Sequence, residues 1–465
     1  MMAKKKYTFV DLFAGLGGFH HAFELLGRDK NFKTQCVFAS ELKEDLRHLY
    51  SKNYDIPYEK INSDITQLKT DEDILSLVPE HDILFAGFPC QPFSKAGKQQ
   101  GFNDEEGRGI LFNYIVEIIK LRRPKYIFLE NVSNLKTHDS GNTWRVIKDK
   151  LALSIEDGGL NYEIKEAVLS PHEFGLPQYR KRIYIVGIDK EKGNLDNFEF
   201  PKGENKKDCD ISEIIDKNPE EFVPIKPLYK YYLEIWQHFL NECQTRKAEL
   251  PHAPIWAMEF GADYPYIDKA PCFLNPEQLC GKKGSLGKEI KGSCIEECLQ
   301  YLPNYARSNK VDVFPKWKQK FIKENRDFYE RNKEWLDVWK EKLDGWDNSF
   351  IKFEWNCSES EEMNIEHKIV QFRPSGIRVK EPTYSPALTF MGNQIPIFPW
   401  IEYKKSDGTI EKGRYMTVKE ATRLQGMQDL SFDGLPKSRI YEALGNAVNV
   451  EVVKLIIKEI ITTRK

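Results

Sequence analysis

No run of 18 apolar residues occurs anywhere in the 465 residues, so no membrane-spanning helix is expected. Charge of one sign is also missing: 69 Lys and Arg face 71 Asp and Glu, a net −2. Nucleic acid therefore cannot be held by bulk positive charge, and any such contact needs a local basic cleft. Cysteine is sparse and odd in number, nine along the whole chain, which excludes a disulfide framework and points to reduced thiols in the cytoplasm. Cys272, Cys280, Cys294 and Cys298 lack the close pairing of zinc ligands, and no His sits at a ligand-like offset, so no metal is expected. The basic start, Met1 to Lys6, leads into no long apolar stretch and reads as no secretion signal. Internal repeats and low-complexity tracts are absent. What remains is an ordinary globular composition, 40% hydrophobic and 30% charged. At about 150 residues per domain, the length suggests two to four domains.

The first 190 residues alternate strand and helix. Tyr7–Leu12 is an apolar run ending in a glycine-rich turn, Phe13-Ala14-Gly15-Leu16-Gly17-Gly18. Phe19, Ala22, Phe23 and Leu26 then keep the i, i+3, i+4, i+7 spacing of one buried helix face. Gln35–Ser40, Asp82–Gly87, Lys125–Leu129, Asn161–Ser170 and Arg182–Ile188 read as further strands. The pattern predicts an α/β fold, a Rossmann-like, mostly parallel sheet under helices, whose ligands sit beyond the carboxyl ends of the strands. Asp11, Glu41, Cys90 and Glu130 all fall at such ends.

Each of these signals has a bland counterpart. The glycine turn alone is equally compatible with a tight strand-to-helix connection. Glu41, however, follows Gly17 by 24 residues, near the offset of an acid that grips ribose hydroxyls. A cysteine ending a buried strand is usually a small hydrophobe. Cys90 is bracketed by Pro89 and Pro92, which would stiffen the turn and aim the sulfur, so a nucleophile is the sharper reading. Lys95, Lys98 and Arg108 follow in a polar, glycine-studded stretch that could meet phosphates as a lid. Glu130 ends an apolar strand, where a carboxylate is costly unless bonded or functional. Arg180 and Arg182 share one face of an incoming strand and offer forked donors for an anion or a base.

Taken together, the motifs resemble those of DNA cytosine-5 methyltransferases. Asp11-Leu-Phe-Ala-Gly-Leu-Gly-Gly18, Gly87-Phe-Pro-Cys-Gln-Pro-Phe-Ser94, Glu130-Asn-Val132 and Gln178-x-Arg180-x-Arg182 occur in the family's order. Arg414-Tyr-Met-Thr417, Glu420 and Arg423-Leu-Gln-Gly426 look like its ninth motif, and Gly445-Asn-Ala-Val448 like its tenth. The resemblance covers about residues 7–190 and 385–460.

It implies S-adenosyl-L-methionine as cofactor in a methyltransferase fold with a second, smaller target-recognition domain. Phe13 would stack on the adenine, Glu41 would hold the ribose and Asp64 would take the exocyclic amino group. Asp11, Gly15, Gly17, Pro89 and Asn446 would complete the cofactor's surroundings. Leu42 is a departure, because some relatives carry Trp there against the adenine. Cys90 would attack carbon 6 of a cytosine flipped out of the duplex, making carbon 5 nucleophilic. Glu130 would bond ring nitrogen 3 and the amino group, with a raised pKa. Arg182 would contact the base carbonyl, and Arg180 a phosphate or Cys90. Ser94, Lys95 and Lys98 would clamp the DNA backbone.

The resemblance further implies 1–195 as catalytic domain and 196–435 as target-recognition domain with a helical insertion and the ninth motif. Residues 436–465 would return as a helix to the catalytic domain. Lys226–Cys243 and Trp317–Leu343 read as helices, the latter with Phe321, Phe328 and Trp335 as a packed aromatic stripe. Base-reading residues are sought among Arg373, Arg378 and Lys380, since Arg is the commonest reader of guanine edges. The expected partner is double-stranded DNA, with a restriction endonuclease as functional counterpart, and the enzyme is expected to be a monomer. Two rivals stay open: a tRNA cytosine-5 methyltransferase and a non-enzymatic DNA-binding relative.

Overall fold

The computed structural model describes residues 5–89, 110–203, 209–217, 219–358, 362–388, 394–405 and 407–462. They form two compact units: 1–216 with 383–393 and 418–465, and 217–382 with 394–417.

The first unit runs β1 (Lys6–Leu12), α1 (Gly18–Lys30), β2 (Lys33–Ser40), α2 (Glu44–Tyr54), β3 (Ile61–Asn62), α3 (Asp71–Leu77) and β4 (Ile83–Gly87). It continues with α4 (Ile110–Arg122), β5 (Tyr126–Val132), α5 (Asn142–Ala152), β6 (Tyr162–Leu169), β7 (Gln178–Tyr179) and β8 (Arg182–Asp189). Seven of these strands make one sheet in the order β3-β2-β1-β4-β5-β8-β6. Neighbours from β3 to β5 are parallel, whereas β8 is antiparallel to both β5 and β6. This is the Rossmann-like sheet of a methyltransferase fold, as expected. The central strands β4, β5 and β8 are near-continuously buried because helices cover both faces. On one face Ile115, Ile119, Ile147 and Leu151 of α4 and α5 pack against Val10, Leu84, Ile127 and Ile185. On the other, Phe19 and Phe23 of α1 meet Phe9, Phe85 and Phe128 edge-on or stacked, with centroids 5.1–5.6 Å apart.

The second unit carries α6 (Pro227–Arg246), β9 (Ile255–Trp256), α7 (Pro276–Leu279), α8 (Ile295–Leu299), α9 (Lys316–Lys340), β10 (Lys352–Asn356), β11 (Ile369–Arg373) and β12 (Gly376–Lys380). β13 (Ser385–Pro386) belongs to the first unit and pairs with β7; β14 (Ile397–Lys404) and β15 (Ile410–Tyr415) complete the second. Its six-stranded sheet is ordered β15-β14-β11-β12-β10-β9. Phe328, Trp335 and Trp339 of α9 are buried against Trp236 and Phe239 of α6, so the aromatic stripe is core. Trp236 stacks on Phe353 at 4.5 Å and donates its indole N–H to the Phe350 carbonyl.

The chain then closes the first unit with α10 (Val418–Gln425), α11 (Lys437–Asn446) and α12 (Val450–Thr462). The boundaries differ from those expected. The chain leaves the first unit after Asp216 rather than after 195, and 418–435 belong to the first unit rather than the second. The reason is a buried tie: Glu420, fully buried, accepts the Asp216 amide at 2.8 Å. Arg423 Nη1 donates to the Ile214 carbonyl at 2.9 Å and meets Asp216 Oδ1 at 2.8 Å. Departing and returning segments are thus held together within the first unit. No helix among the described residues is long and apolar enough to cross a membrane.

Candidate active site

The glycine turn joins β1 to α1 through three left-handed residues, Phe13 (φ 55), Gly15 (φ 55) and Gly17 (φ 77). Glycine adopts this region freely, but Phe13 does so at a cost of about 1–3 kcal/mol that its surroundings must offset. The offset is visible. Ala14 N–H bonds the Ser40 carbonyl at the end of β2, and Gly17 N–H the Ala14 carbonyl. Gly15 N–H donates to Glu41 Oε2 at 2.8 Å, while Lys43 N–H donates to Glu41 Oε1 at 2.9 Å. Each carboxylate oxygen therefore keeps lone-pair capacity for a further donor, such as a ribose hydroxyl. A Cβ placed on Gly15 would meet only Phe13 O, at 3.9 Å, so the turn is open to a ligand there. Phe13 is half-buried, and Asp64 caps the next short helix by accepting Thr66 N–H through Oδ1, leaving Oδ2 for another donor. These residues fit an adenosine-bearing cofactor. Leu42 is 69% exposed beside them. Asp11, by contrast, is 1% exposed and sealed behind the turn, where burial raises its carboxyl to about 8.

On the adjoining strands, Gly87 of β4 stands in register with Glu130 of β5. Glu130 is 6% exposed, and its Oε1 lies 3.0 Å from Arg182 Nε. Burial raises the Glu130 carboxyl above its ordinary value, with Arg182 and Arg180 drawing it back. Pro89 is exposed at the end of the described loop. Cys90, Ser94, Lys95 and Lys98 lie outside the described residues. Asn131, not singled out by the sequence, donates Nδ2 to the Phe88 carbonyl at 3.0 Å and so ties the strand of Glu130 to the chain entering Cys90. Its position in Glu130-Asn-Val132 was the available signal.

Arg180, for which a phosphate or Cys90 contact is expected, grips backbone among the described residues. It is 2% exposed, and its two Nη atoms donate to the carbonyls of Gly445 at 2.8 Å and Ala447 at 2.7 Å. Burial and the neighbouring Arg182 push its guanidinium down to about 9. The fork holds the chain on either side of Asn446, itself exposed at the end of α11. Next to it, Val448 fills the space left by the missing side chain of Gly18, where a Cβ would stand 2.6 Å from Val448 Cγ2.

In the second unit, strand alternation and register put Gln371, Arg373, Arg378 and Lys380 on one sheet face with Glu354. Glu354 takes both arginines: Oε1 is 2.6 Å from Arg373 Nη2 and Oε2 2.9 Å from Arg378 Nε. Burial and the Arg378 charge lower the Lys380 ammonium to about 8. Cys280 and Cys298 place their sulfurs 3.5 Å apart, and Cys272 donates to the Ser308 carbonyl.

The sequence profile of the C-5 cytosine-specific DNA methylase family matches residues 7–253 and 289–462. Type II methyltransferase M.BsuFI of Bacillus subtilis is 42% identical over 228 residues, 49% of this chain and 50% of that protein. M.HhaI of Haemophilus parahaemolyticus is 41% identical over 194 residues, 42% of this chain and 52% of its own. M.HaeII of Haemophilus aegyptius is 44% identical over 259 residues, 54% of this chain and 69% of its own. With the first two, the matched stretch spans about half the relative's length. The profile match runs through both compact units and takes in the glycine turn, Glu130, Arg182 and the Gly445–Val448 segment; the chain belongs to the C-5 cytosine-specific DNA methylase family.

Proposed function

We propose that this protein transfers a methyl group from S-adenosyl-L-methionine to carbon 5 of a specific cytosine in double-stranded DNA. The observation that carries the reading is Glu130: a buried carboxyl kept above its ordinary pKa, beside Arg182 and in register with the strand end that leads into Cys90. Carbon 5 of cytosine is a poor nucleophile until the ring is made enamine-like. The Cys90 thiolate forms a bond to carbon 6, and the ring electrons move toward nitrogen 3. Glu130, carrying its proton, donates to nitrogen 3 and accepts from the amino group, and Arg182 holds the base carbonyl. The bound cofactor supplies an electrophilic methyl group. A base then removes the carbon 5 proton, and the electron pair it leaves expels Cys90 as thiolate. Because the reacting edge is closed inside a duplex, the cytosine is flipped out, at a cost of a few kcal/mol. Phe13, Gly15, Glu41 and Asp64 hold the cofactor. Ser94, Lys95 and Lys98 contact the DNA backbone, and the sheet face of Arg373, Arg378 and Lys380 reads the target. The enzyme acts as a cytoplasmic monomer and protects host DNA from a cognate restriction endonuclease.

Trapping tests the covalent step. With 5-fluorocytosine at the target, fluorine stands where the departing proton should be and cannot leave as a cation. A complex that survives denaturing electrophoresis is expected, requiring the cofactor and lost in Cys90→Ser. Peptide mapping should place the adduct in Gly87–Ser94. An adduct on another cysteine, or none from a preparation that methylates DNA, refutes the mechanism.

A further inference from the structure

Beneath the glycine turn lies a buried polar chain that the reaction above does not use. α2 carries Tyr50 and Tyr54 one turn apart, so both rings face the same way, toward α1. Tyr50 is fully buried and Tyr54 nearly so. The Tyr54 hydroxyl lies 3.0 Å from the Leu16 carbonyl oxygen and 2.9 Å from that of Gly17, and its single proton is shared between them. The same ring occupies the space a side chain at position 17 would need: a Cβ there would stand 2.3 Å from Tyr54 Cε2. The Tyr50 hydroxyl lies 3.1 Å from Asp11 Oδ2, to which it donates, and 2.8 Å from His20 Nδ1. The His20 ring stacks flat on Tyr54, centroids 3.9 Å apart, and its far nitrogen meets Glu24 at 3.3 Å. One histidine on α1 therefore holds both tyrosines of α2.

The carbonyls of the turn that face into the protein each need a donor there. Gly17's carbonyl already accepts His21 N–H as the first bond of α1. For the Leu16 carbonyl, the Tyr54 hydroxyl supplies the donor from below. We propose that Tyr54, with the Tyr50–His20 pair behind it, is a positioning element for the cofactor: it fixes the glycine turn from its buried side while Glu41 fixes it from the open side. This rests on the reading of the turn as the S-adenosyl-L-methionine site. Neither tyrosine touches the cofactor; each acts through the backbone or through Asp11.

Tyr54→Phe keeps the ring and removes one oxygen. A net buried hydrogen bond corresponds to about a three- to tenfold change in an equilibrium constant. Titration calorimetry of the full chain with S-adenosyl-L-methionine should show the dissociation constant raised by about that factor in Tyr54→Phe. Tyr50→Phe should act in the same direction. The KM for DNA and kcat at saturating cofactor should stay at wild-type values, a split that general loosening of the fold would not produce. An unchanged cofactor constant in Tyr54→Phe overturns the proposal. So does a loss spread equally over cofactor, DNA and turnover. A wild-type chain that binds no S-adenosyl-L-methionine would instead remove the reading of the site itself.

Discussion

Burial lifts the Asp11 carboxyl to about 8, against the hydrogen bond from Tyr50 that favours its charge and with Glu41 nearby opposing it. An unfolded Asp titrates near about 3.9. Between those values the folded state holds a proton that the unfolded state has lost, so this group makes folding less favourable as pH rises, until both states are ionised above about 8. Asp11→Asn cannot ionise and escapes that penalty. The melting temperature of the variant relative to wild type should therefore climb between pH 5 and pH 8; a difference that stays constant over that range contradicts the assignment. Nothing in the residue's identity announces this state. Asp11 and Glu41 are both acids at strand ends, yet one is sealed behind the turn and the other accepts two backbone amides at its mouth.

At the scale of elements, Arg180 joins the segment before β8 to the end of α11. Its fork satisfies two carbonyls, Gly445 and Ala447, that would otherwise lack a side-chain donor. Lysine offers a point charge in place of that planar pair of donors. Arg180→Lys should destabilise the protein by about 1–3 kcal/mol, the cost of leaving a buried acceptor unsatisfied. Hydrogen exchange should rise around 443–452 while other helices stay protected. If DNA affinity falls and exchange there does not change, Arg180 serves the phosphate contact read from the sequence instead. α9 shows the opposite case, in which spacing sufficed. Its seven-residue aromatic period predicted a packed face, and Phe328 and Trp335 are buried in it. Trp317, one turn before Phe321, is 54% exposed, since the helix begins at Lys316 and its first turn lies outside the core.

Over the whole molecule, two separate cores are built. The first unit packs aliphatic residues on one face of its sheet and Phe9, Phe19, Phe23, Phe85 and Phe128 on the other, and the second gathers Trp236, Phe239, Trp335, Trp339 and Phe353 around α6 and α9. Trp236 is fully buried at the centre of the second. Trp236→Ala should remove about 3–5 kcal/mol from that unit. Calorimetric unfolding should show a shifted transition for the second unit, with affinity for S-adenosyl-L-methionine in the first left near wild type. Loss of both together would mean that the units do not unfold separately.

The alternation of apolar runs, the glycine turn and the ordered motifs were enough to determine the sheet and the family, because period and local turn chemistry are written residue by residue. Asp11, Glu41 and Glu130 could be placed at strand ends in this way. Which of them is sealed behind the turn, what Arg180 grips, how Glu354 pairs with Arg373 and Arg378, and where the chain passes between units were decided only in three dimensions. The partners lie far apart in the sequence: Arg180 and Ala447, Glu420 and Asp216, Tyr54 and Leu16. Periodicity assigns a side chain to a face, but a hydrogen bond needs a particular donor within about 3 Å of a particular acceptor, and folding alone brings those atoms together.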